Sequence, residues 1–171
     1  MILLGIGSNL ESKFGNRFDN IKKAIFLLQK EEIKIKKISN FYETPSYPYV
    51  KNPKFINIVV SIEFHSSPEL LLRKILSVEK KMDRIRTVKN APRTCDIDII
   101  DFKGKVINKK NIILPHPEAH KRNFVLLPLF EIHPEWIHPI KNKKIHILIK
   151  NLSIKLRNEI TRSKESVILI Q

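Results

Sequence analysis

The order in which hydrophobic patterns follow one another constrains the fold of this chain more than any other feature. Segments with the alternation or the β-branched residues of a strand are interrupted twice by apolar residues at helical spacing. In chain order, the strand, helix, strand, strand, helix and strand segments are 2–7, 17–28, 33–42, 55–64, 68–83 and 97–100. This order predicts an α+β domain in the split-βαβ arrangement, with helices packed on a mostly antiparallel sheet.

Prolines and glycines mark the ends of these segments. Three prolines predict a loop over 44–54, and Ser67 followed by Pro68 predicts the first turn of the second helix. Gly104 predicts a hairpin turn at 103–105. The remaining predictions are an apolar segment at 124–132, a short helix over 145–157 and a strand over 167–170.

Length and composition indicate one domain. The 171 residues fall within the usual size of a domain, and no linker, repeat or low-complexity tract divides residues 1–171. Hydrophobic residues make up 42% and charged residues 29%, which is the balance of a globular protein. The only cysteine is Cys95, so a disulfide framework and a cysteine-rich zinc module are excluded. We expect a monomer in the reducing cytoplasm.

Neither a membrane span nor a secretion signal is expected from the sequence. The longest apolar runs are short, such as 58–60, whereas a spanning helix needs about 20 consecutive apolar residues. The apolar start of the chain is interrupted at Gly5 and lacks a basic leader.

A formal net charge of +15 leaves two interpretations of the surface. Positive charge attracts nucleic acids, anionic surfaces and anionic substrates. However, the 24 lysines outnumber the 8 arginines and are scattered along a chain rich in isoleucine and asparagine, the residues of AT-rich codons. Solvated lysines are common on ordinary surfaces, so we favour compositional drift and expect no nucleic-acid partner.

Several common catalytic motifs are absent from the sequence. The chain has 4 glycines and lacks both glycine-rich phosphate-binding motifs, Gly-x-x-x-x-Gly-Lys-Ser/Thr and Gly-x-Gly-x-x-Gly. It also lacks the Gly-x-Ser-x-Gly elbow of serine hydrolases. Among the 6 histidines only His116 and His120 have a helical spacing, and nothing near them completes a zinc site.

The strongest chemical signal is a pair of carboxylates within 92–100. Asp96 and Asp98 are two residues apart, so on a strand their side chains point to the same face. Adjacent carboxylates repel each other, and a hard divalent cation such as Mg²⁺ relieves that repulsion. The alternative is an ordinary solvated strand face.

The residues around this pair favour the magnesium interpretation. Isoleucines at 97, 99 and 100 are expected to bury the opposite face and so to fix the aspartates on a rigid strand. Arg93 precedes the pair, with Arg84 and Arg86 further upstream, and the planar guanidinium suits phosphate oxygens.

The segment 89–100 resembles the signature of the 6-hydroxymethyl-7,8-dihydropterin pyrophosphokinases, enzymes of folate biosynthesis. Further motifs occur in the family's order and spacing over residues 2–140: Gly7-Ser8-Asn9-Leu10, Tyr42-x-Thr44-Pro45, Phe55-x-Asn57, Glu79, Arg84-x-Arg86, Leu114-Pro115-His116-Pro117, Arg122-x-Phe124 and Leu127-Pro128-Leu129. The resemblance implies a ferredoxin-like α+β sandwich, in agreement with the order of the elements. One departure is Asn90-Ala91, where many members carry an aromatic residue and a glycine.

The resemblance implies transfer of the β,γ-pyrophosphoryl group of ATP to the hydroxymethyl oxygen of the pterin, with release of AMP. Asp96 and Asp98 would bind two Mg²⁺ ions, and Arg84 and Arg93 would neutralise charge on the transferred group. The implied ATP-binding residues are Glu79, Arg84, Arg86, Arg93, Ile99 through its backbone, His116 and Arg122. The implied pterin-binding residues are Thr44, Pro45, Tyr47, Phe55, Asn57 and Phe124, with the two phenylalanines stacking on the ring. The basic segment 84–94 is expected to order around both substrates.

Other interpretations stay open at the level of sequence. Nucleotidyltransferases place a Gly-Ser pair close before Asp-x-Asp, whereas about 88 residues separate Ser8 from Asp96 here. A basic RNA-binding α+β module should interleave aromatic and basic residues on neighbouring strands, and the aromatic residues here are isolated. Without the resemblance, Phe55 and Phe124 would be assigned to the core.

Overall fold

The computed structural model describes residues 1–84 and 91–165. Within these ranges the strands are β1 (Ile2–Ser8), β2 (Lys34–Ile38), β3 (Tyr42–Thr44), β4 (Phe55–Glu63), β5 (Asp96–Phe102), β6 (Ile107–Lys109), β7 (Ile112–Leu114) and β8 (Thr161–Arg162). The α-helices are α1 (Arg17–Lys30), α2 (Pro68–Lys81), α3 (Asn123–Ile132), α4 (Ile145–Lys150) and α5 (Ile154–Asn158), and a 3-10 helix spans Ala119–Lys121.

One sheet organises the molecule and separates two apolar layers. Strands β5, β1, β4, β3 and β8 lie side by side in that order, β2 also pairs with β4, and these pairings are antiparallel. Helices α1 and α2 pack on one face, over Ile6 and Ile58, while α3 and α4 pack on the other, over Leu3 and Val59. The predicted α+β fold, a ferredoxin-like sandwich on a mostly antiparallel sheet, is therefore confirmed.

The two helices on the first face begin at well-formed caps. Asn16 Oδ1 accepts a hydrogen bond from Phe18 N at 2.8 Å, and Asp19 Oδ2 accepts one from Asn16 N at 3.1 Å, which forms a capping box for α1. Ser67 caps α2, whose first residue is Pro68, as the sequence predicts. These caps fix where both helices start on the sheet.

The strand predicted over 33–42 is interrupted and forms β2 and β3. Ser39 N donates to Val59 O, and Ser39 Oγ accepts from Val59 N, both at 3.0 Å. A side-chain oxygen therefore takes the place of a backbone partner, and the regular ladder ends at this point. The chain then turns inward at the fully buried Phe41 before β3 begins.

The chain after β5 differs from the sequence prediction in several places. The turn at 103–105 is present, but β6 pairs with β7 instead of returning to β5. The helix predicted over 145–157 is two helices, because Ser153 Oγ accepts from Leu156 N at 3.2 Å and starts a new one. Strand β8 was not predicted, since two residues are too few to produce a hydrophobic period. The strand predicted over 167–170 lies outside the described residues.

Cys95 is a free thiol buried just before β5, and burial raises its pKa above the ordinary value of a cysteine. The helices of the described ranges include none that is long and apolar enough to cross a membrane.

Candidate active site

A cleft of about 500 Å³ opens on the α3 face of the sheet, beside β1, β5, the loop after β3 and the start of α3. Alternation along β5 puts Asp96, Asp98 and Ile100 on this face, whereas Ile97 and Ile99 join the core under α1 and α2. The expectation that Ile100 would lie with the other two isoleucines is therefore wrong. Residues two apart on a strand share a face, and Ile100 packs beneath α3.

Strand register brings the two ends of the cleft close together. Asp96 of β5 lies opposite Gly7 of β1, and Gly7 lies opposite Asn57 of β4. Neighbouring strands are about 4.8 Å apart, so the backbones at Asp96 and Asn57 are separated by roughly 10 Å. A Cβ at Gly7 would lie 2.9 Å from Asn57 Oδ1, so a larger residue here would displace the Asn57 side chain.

Asp96 belongs to a network with two arginines and a buried glutamate. Arg84 Nη1 is 2.7 Å from Asp96 Oδ1, and Arg93 Nε is 3.4 Å from Asp96 Oδ2. Arg84 also pairs closely with Glu79, whose Oε1 accepts a hydrogen bond from Ile97 N at 2.8 Å. Glu79 is 3% exposed, so this buried carboxylate holds the Arg84 guanidinium against the end of β5.

Asp98 forms a second polar group with His116 and Arg122. Asp98 Oδ2 is 3.3 Å from Arg122 Nη1 and 3.6 Å from His116 Nε2. His116 is anchored to β5 because its backbone N donates to Ile100 O at 2.9 Å. Its Nδ1 accepts from Glu118 N at 3.1 Å, and its Nε2 faces Asp98 and also lies 3.4 Å from Arg122 Nη1.

Burial and charge shift the pKa values of this second group. Burial, followed by repulsion from Asp96, raises the pKa of Asp98, although 42% of the Asp98 side chain is exposed. Burial lowers the pKa of His116, so its neutral form predominates at neutral pH. A cation bound near both aspartates would relieve the repulsion between them.

The donors at this charged end fit a hard cation that is held jointly with phosphate. Two carboxylates, Asp96 and Asp98, share one strand face, and Arg84, Arg93 and Arg122 surround them. Proteins usually hold Mg²⁺ through one or two carboxylates together with substrate phosphates. Within residues 1–84 and 91–165, no group of three or more His, Cys, Asp or Glu side chains could enclose a metal. The arrangement therefore suits a cation that binds together with an anionic substrate.

The other end of the cleft is aromatic. Phe55 and Phe124 line it and are half-buried, so neither is an ordinary core residue. The guanidinium carbon of Arg93 lies 5.4 Å from the centroid of the Phe55 ring, and that of Arg122 lies 5.5 Å from the Phe124 ring. Arginines of the charged end thus extend over rings of the aromatic end.

A buried polar pair borders the aromatic end. Asn57 Nδ2 donates to Thr44 Oγ1 at 3.0 Å, and both side chains are almost fully buried. Pro45 and Tyr47 follow Thr44 and also line the cleft. Aromatic surfaces with an amide at their edge fit a flat heterocycle that carries hydrogen-bonding groups.

Asn9 connects the two ends, and sequence analysis assigned it no role. It is 1% exposed, its Oδ1 accepts from Arg93 N at 2.7 Å, and its Nδ2 donates to Ser46 Oγ and Pro53 O, both at 3.2 Å. Asn9 therefore positions Arg93 relative to the loop over 44–54. Its place in the Gly-Ser-Asn-Leu motif is the only sequence signal, because its partners are distant along the chain.

The structure brings most of the predicted site residues to this cleft. Those that line it are Thr44, Pro45, Tyr47, Phe55, Asn57, Arg84, Arg93, Asp96, Asp98, His116, Arg122 and Phe124. Glu79 and Ile99 lie instead in the layer between β5 and α2. Arg86, with most of the segment 84–94, falls outside the described residues. The lining residues that sequence analysis missed are Gly5, Ile6, Gly7, Ile58, Lys121, Asn123, Val125, Leu156 and Glu159.

The sequence of this chain is similar to those of known proteins. Residues 3–134 match the model of the family described as 7,8-dihydro-6-hydroxymethylpterin-pyrophosphokinase. The 2-amino-4-hydroxy-6-hydroxymethyldihydropteridine pyrophosphokinase of Aquifex aeolicus is 40% identical over 144 residues, which cover 84% of this chain and 87% of that protein. The protein of the same name from Synechocystis is 34% identical over 151 residues, covering 88% and 75%.

Solved structures share the fold. A crystal structure of Plasmodium falciparum HPPK-DHPS with pterin and p-hydroxybenzoate has a TM-score of 0.71 with this chain at 18% sequence identity. The alignment covers 94% of this chain and 46% of that one, so the chain spans about half the length of this structural relative.

Proposed function

This chain belongs to the 7,8-dihydro-6-hydroxymethylpterin-pyrophosphokinase family, and we propose that the cleft is where it carries out the family's reaction. That reaction transfers pyrophosphate from ATP to 6-hydroxymethyl-7,8-dihydropterin, giving the pterin diphosphate and AMP in the synthesis of tetrahydrofolate. One observation carries the proposal: the register puts Asp96 and Asn57 on the two strands that flank β1. Two substrates that react directly need adjacent sites of this kind.

The charged end is assigned to the triphosphate of ATP. Phosphoryl transfer depends mainly on positioning and on neutralising phosphate charge, and Arg84, Arg93 and Arg122 offer guanidinium donors for both. Asp96 and Asp98 would hold Mg²⁺, with two ions expected from the family resemblance. Bound magnesium neutralises phosphate oxygens and orients them for in-line displacement.

The arginines have to exchange partners when the substrates bind. Arg84 and Arg93 pair with Asp96, and Arg122 pairs with Asp98. With the two aspartates holding a cation, these guanidinium groups would bind phosphate oxygens. Glu79 would keep its contact with Arg84, so we assign it a positioning role, and a nucleotide contact by Ile99 stays a prediction.

The aromatic end is assigned to the pterin. Phe55 and Phe124 would stack on its ring, while Asn57 and the backbone at Thr44 would recognise its edge. The hydroxymethyl oxygen would then face the β-phosphorus of ATP. A bond from this oxygen to the phosphorus would form, the bond from that phosphorus to the oxygen that leaves with AMP would break, and the hydroxyl proton would pass to solvent. Stacking and hydrogen bonding position the nucleophile, so no covalent intermediate with the protein is needed.

The nucleotidyltransferase alternative has less support. Ser8 of the Gly-Ser pair is fully buried, its hydroxyl donates to Leu10 O at 3.3 Å, and it does not line the cleft. An RNA-binding module has no support from the cleft, whose polar groups converge on a small volume.

We also propose that the chain acts as a single domain, as a monomer and in the cytoplasm, without a nucleic-acid partner. The single domain is supported by the sheet, because β8 pairs with β3 and so joins the last described strand to the family-matched part. The monomeric state, the cytoplasmic location and the lack of a nucleic-acid partner are proposed from the amino-acid composition.

The reaction is tested by incubating the chain with Mg²⁺, ATP and 6-hydroxymethyl-7,8-dihydropterin and separating the nucleotides. We expect AMP and pterin diphosphate in equal amounts, and only when all three components are present. ADP would mean that a single phosphoryl group moved, which would refute the proposal. RNA that competes strongly with ATP turnover would instead favour the binding-module alternative.

A further inference from the structure

The segment 153–165, which we call the C-terminal strap, contributes to the cleft although it lies beyond the residues that match the family model. It contains α5 and β8. Two of its residues, Leu156 and Glu159, line the cleft. Each is bonded to an element that carries a predicted pterin-binding residue, and these contacts give the strap a role that sequence analysis did not assign.

The first contact joins the strap to the start of α3. Asn123 is 3% exposed, and its Nδ2 donates to Leu156 O at 2.7 Å. Its Oδ1 accepts from Phe124 N at 2.7 Å. One buried amide therefore links the strap backbone to the residue that carries the stacking ring, and the Leu156 side chain packs on the same apolar layer as Phe124.

The second contact joins the strap to the loop after β3. Tyr47 Oη donates to Glu159 Oε2 at 2.8 Å, and Lys155 Nζ lies 5.5 Å from the centroid of the Tyr47 ring. A hydrogen bond to a carboxylate is stronger than one between neutral groups. Tyr47 is 47% exposed, so this pair of strap residues supplies a restraint that packing alone does not provide.

The third contact fixes the strap to the sheet edge. Tyr42 pairs with Arg162 and Glu43 with Thr161, and Ser163 N donates to Phe41 O at 2.8 Å. Strand β3 ends at Thr44, directly before the loop that carries Tyr47. The strap is thus attached to the start of α3, to the loop after β3 and to β3 itself.

We propose that the C-terminal strap sets the geometry of the pterin end of the cleft, with Glu159 as the positioning residue that holds Tyr47 in place. The inference rests on the proposed function, since it names residues that shape one substrate's binding site. Glu159 acts through Tyr47, so its removal should weaken pterin binding and spare ATP binding at the charged end.

The test measures pterin dissociation constants in the presence of Mg²⁺ and a non-hydrolysable ATP analogue. The variants are Glu159→Ala, Glu159→Gln, Tyr47→Phe and the double variant Tyr47→Phe/Glu159→Ala. The matched control is Glu165→Ala, which removes a 2.9 Å ion pair with Lys22 from the same strap at a residue that does not line the cleft. Far-ultraviolet circular dichroism confirms that each variant is folded.

We expect Glu159→Ala and Tyr47→Phe each to raise the pterin dissociation constant by about three- to tenfold, the scale of one typical net hydrogen bond, because Tyr47 is half exposed. The double variant should bind pterin as tightly as the weaker-binding of the two single variants, because both substitutions remove the same contact. Glu159→Gln keeps an acceptor and should recover most of the affinity. Affinity for the ATP analogue should stay within about twofold in all of them, and Glu165→Ala should bind pterin as the unmodified chain does.

Two results would overturn the strap's role. One is a loss of pterin affinity in the double variant that equals the product of the losses in the two single variants. The other is equal weakening of pterin and ATP binding. Unchanged pterin affinity in a Glu159→Ala variant that still forms AMP would refute the role of the strap but not the proposed function. An unmodified chain that binds no pterin and forms no AMP would refute the proposed function itself.

Discussion

Asp96 and Asn57 occupy the same row of the sheet, on the two strands that flank Gly7. Asp96 belongs to the charged end of the cleft and Asn57 to the aromatic end, so the separation of the two ends is set by backbone pairing. A strand pairing is stiffer than a loop, so it holds the two ends of the cleft at a fixed separation. Two substrates that react directly need such fixed positions.

Gly7→Ala should disturb the aromatic end selectively. The new Cβ would lie 2.9 Å from Asn57 Oδ1, closer than ordinary contact, so Asn57 has to move. We expect a loss of about 1–3 kcal/mol in the free energy of unfolding and a clear loss of pterin affinity. Chemical denaturation and pterin titration measure the two effects. Gly5→Ala is the control, since its nearest neighbour is the flexible end of the Ile100 side chain at 3.2 Å, and an equal loss of pterin affinity there would contradict this account.

Asp96→Asn and Asp98→Asn should both lose turnover but differ in stability. Removing one preorganised electrostatic group typically costs at least about 10²-fold in rate. Asp98 has a raised pKa, so its charged form costs stability at neutral pH, and Asp98→Asn should leave the unfolding free energy unchanged or higher in EDTA. Asp96→Asn should lower it by about 1–2 kcal/mol, because Arg84 and Arg93 lose a partner.

The outcome for Asp98 decides the metal assignment. A clearly destabilised Asp98→Asn variant that keeps the normal Mg²⁺ dependence of turnover would mean that the carboxylate is structural. Unfolding in EDTA and turnover across a Mg²⁺ series supply both observations.

Phe124→Ala should weaken pterin binding much more than ATP binding. Loss of stacking and of buried apolar surface is worth about 1–3 kcal/mol for one ring, or roughly 5- to 150-fold in the dissociation constant. Titration of each substrate measures the difference. Phe130→Ala on the same helix is the control, because Phe130 is exposed and away from the cleft. Equal losses for both substrates, with a lower melting temperature, would assign Phe124 to the core.

Stability should decrease as the pH falls below about 6.5, the ordinary pKa of histidine. Burial is the main cause of lowered pKa values in His116, His120, His133 and His138. A lowered pKa means that the unfolded chain binds more protons in this range, so acidification favours unfolding. His138 is 3% exposed, and its Nδ1 accepts from the backbone N of Ile140 and of Lys141 at 3.2 Å, which requires an unprotonated nitrogen.

His138→Asn tests this directly by keeping a hydrogen-bond acceptor while removing the titration. Between pH 7.5 and 5.5, the unfolding free energy of this variant should change less than that of the unmodified chain. The difference should be up to about 1.4 kcal/mol for each pH unit. An unchanged slope in His138→Asn would show that His138 does not contribute.

The helices and most strands could be predicted because their hydrophobic periods are local. Asp96 and Asp98 could be assigned to one face for the same reason, since a strand has a period of two. Ser39 interrupts a strand through one side-chain hydrogen bond, which no period reveals.

Contacts between distant parts of the chain were not predictable. Asn9 and Arg93 are 84 residues apart, and Tyr47 and Glu159 are 112 apart. Such pairs form only after the sheet has brought their elements together. Glu159 also belongs to a segment of short helix and edge strand, where the sequence carries little hydrophobic pattern.

Transfer of pyrophosphate as one unit from ATP to the pterin can be followed with ATP that carries radioactive phosphorus at the β position. With Mg²⁺ and 6-hydroxymethyl-7,8-dihydropterin, the label should appear in the pterin diphosphate, AMP should be unlabelled, and Asp98→Asn should form little labelled product. Label that stays in ADP, or that leaves as free pyrophosphate while AMP becomes attached to the acceptor, would show that pyrophosphate is not the group transferred to the pterin.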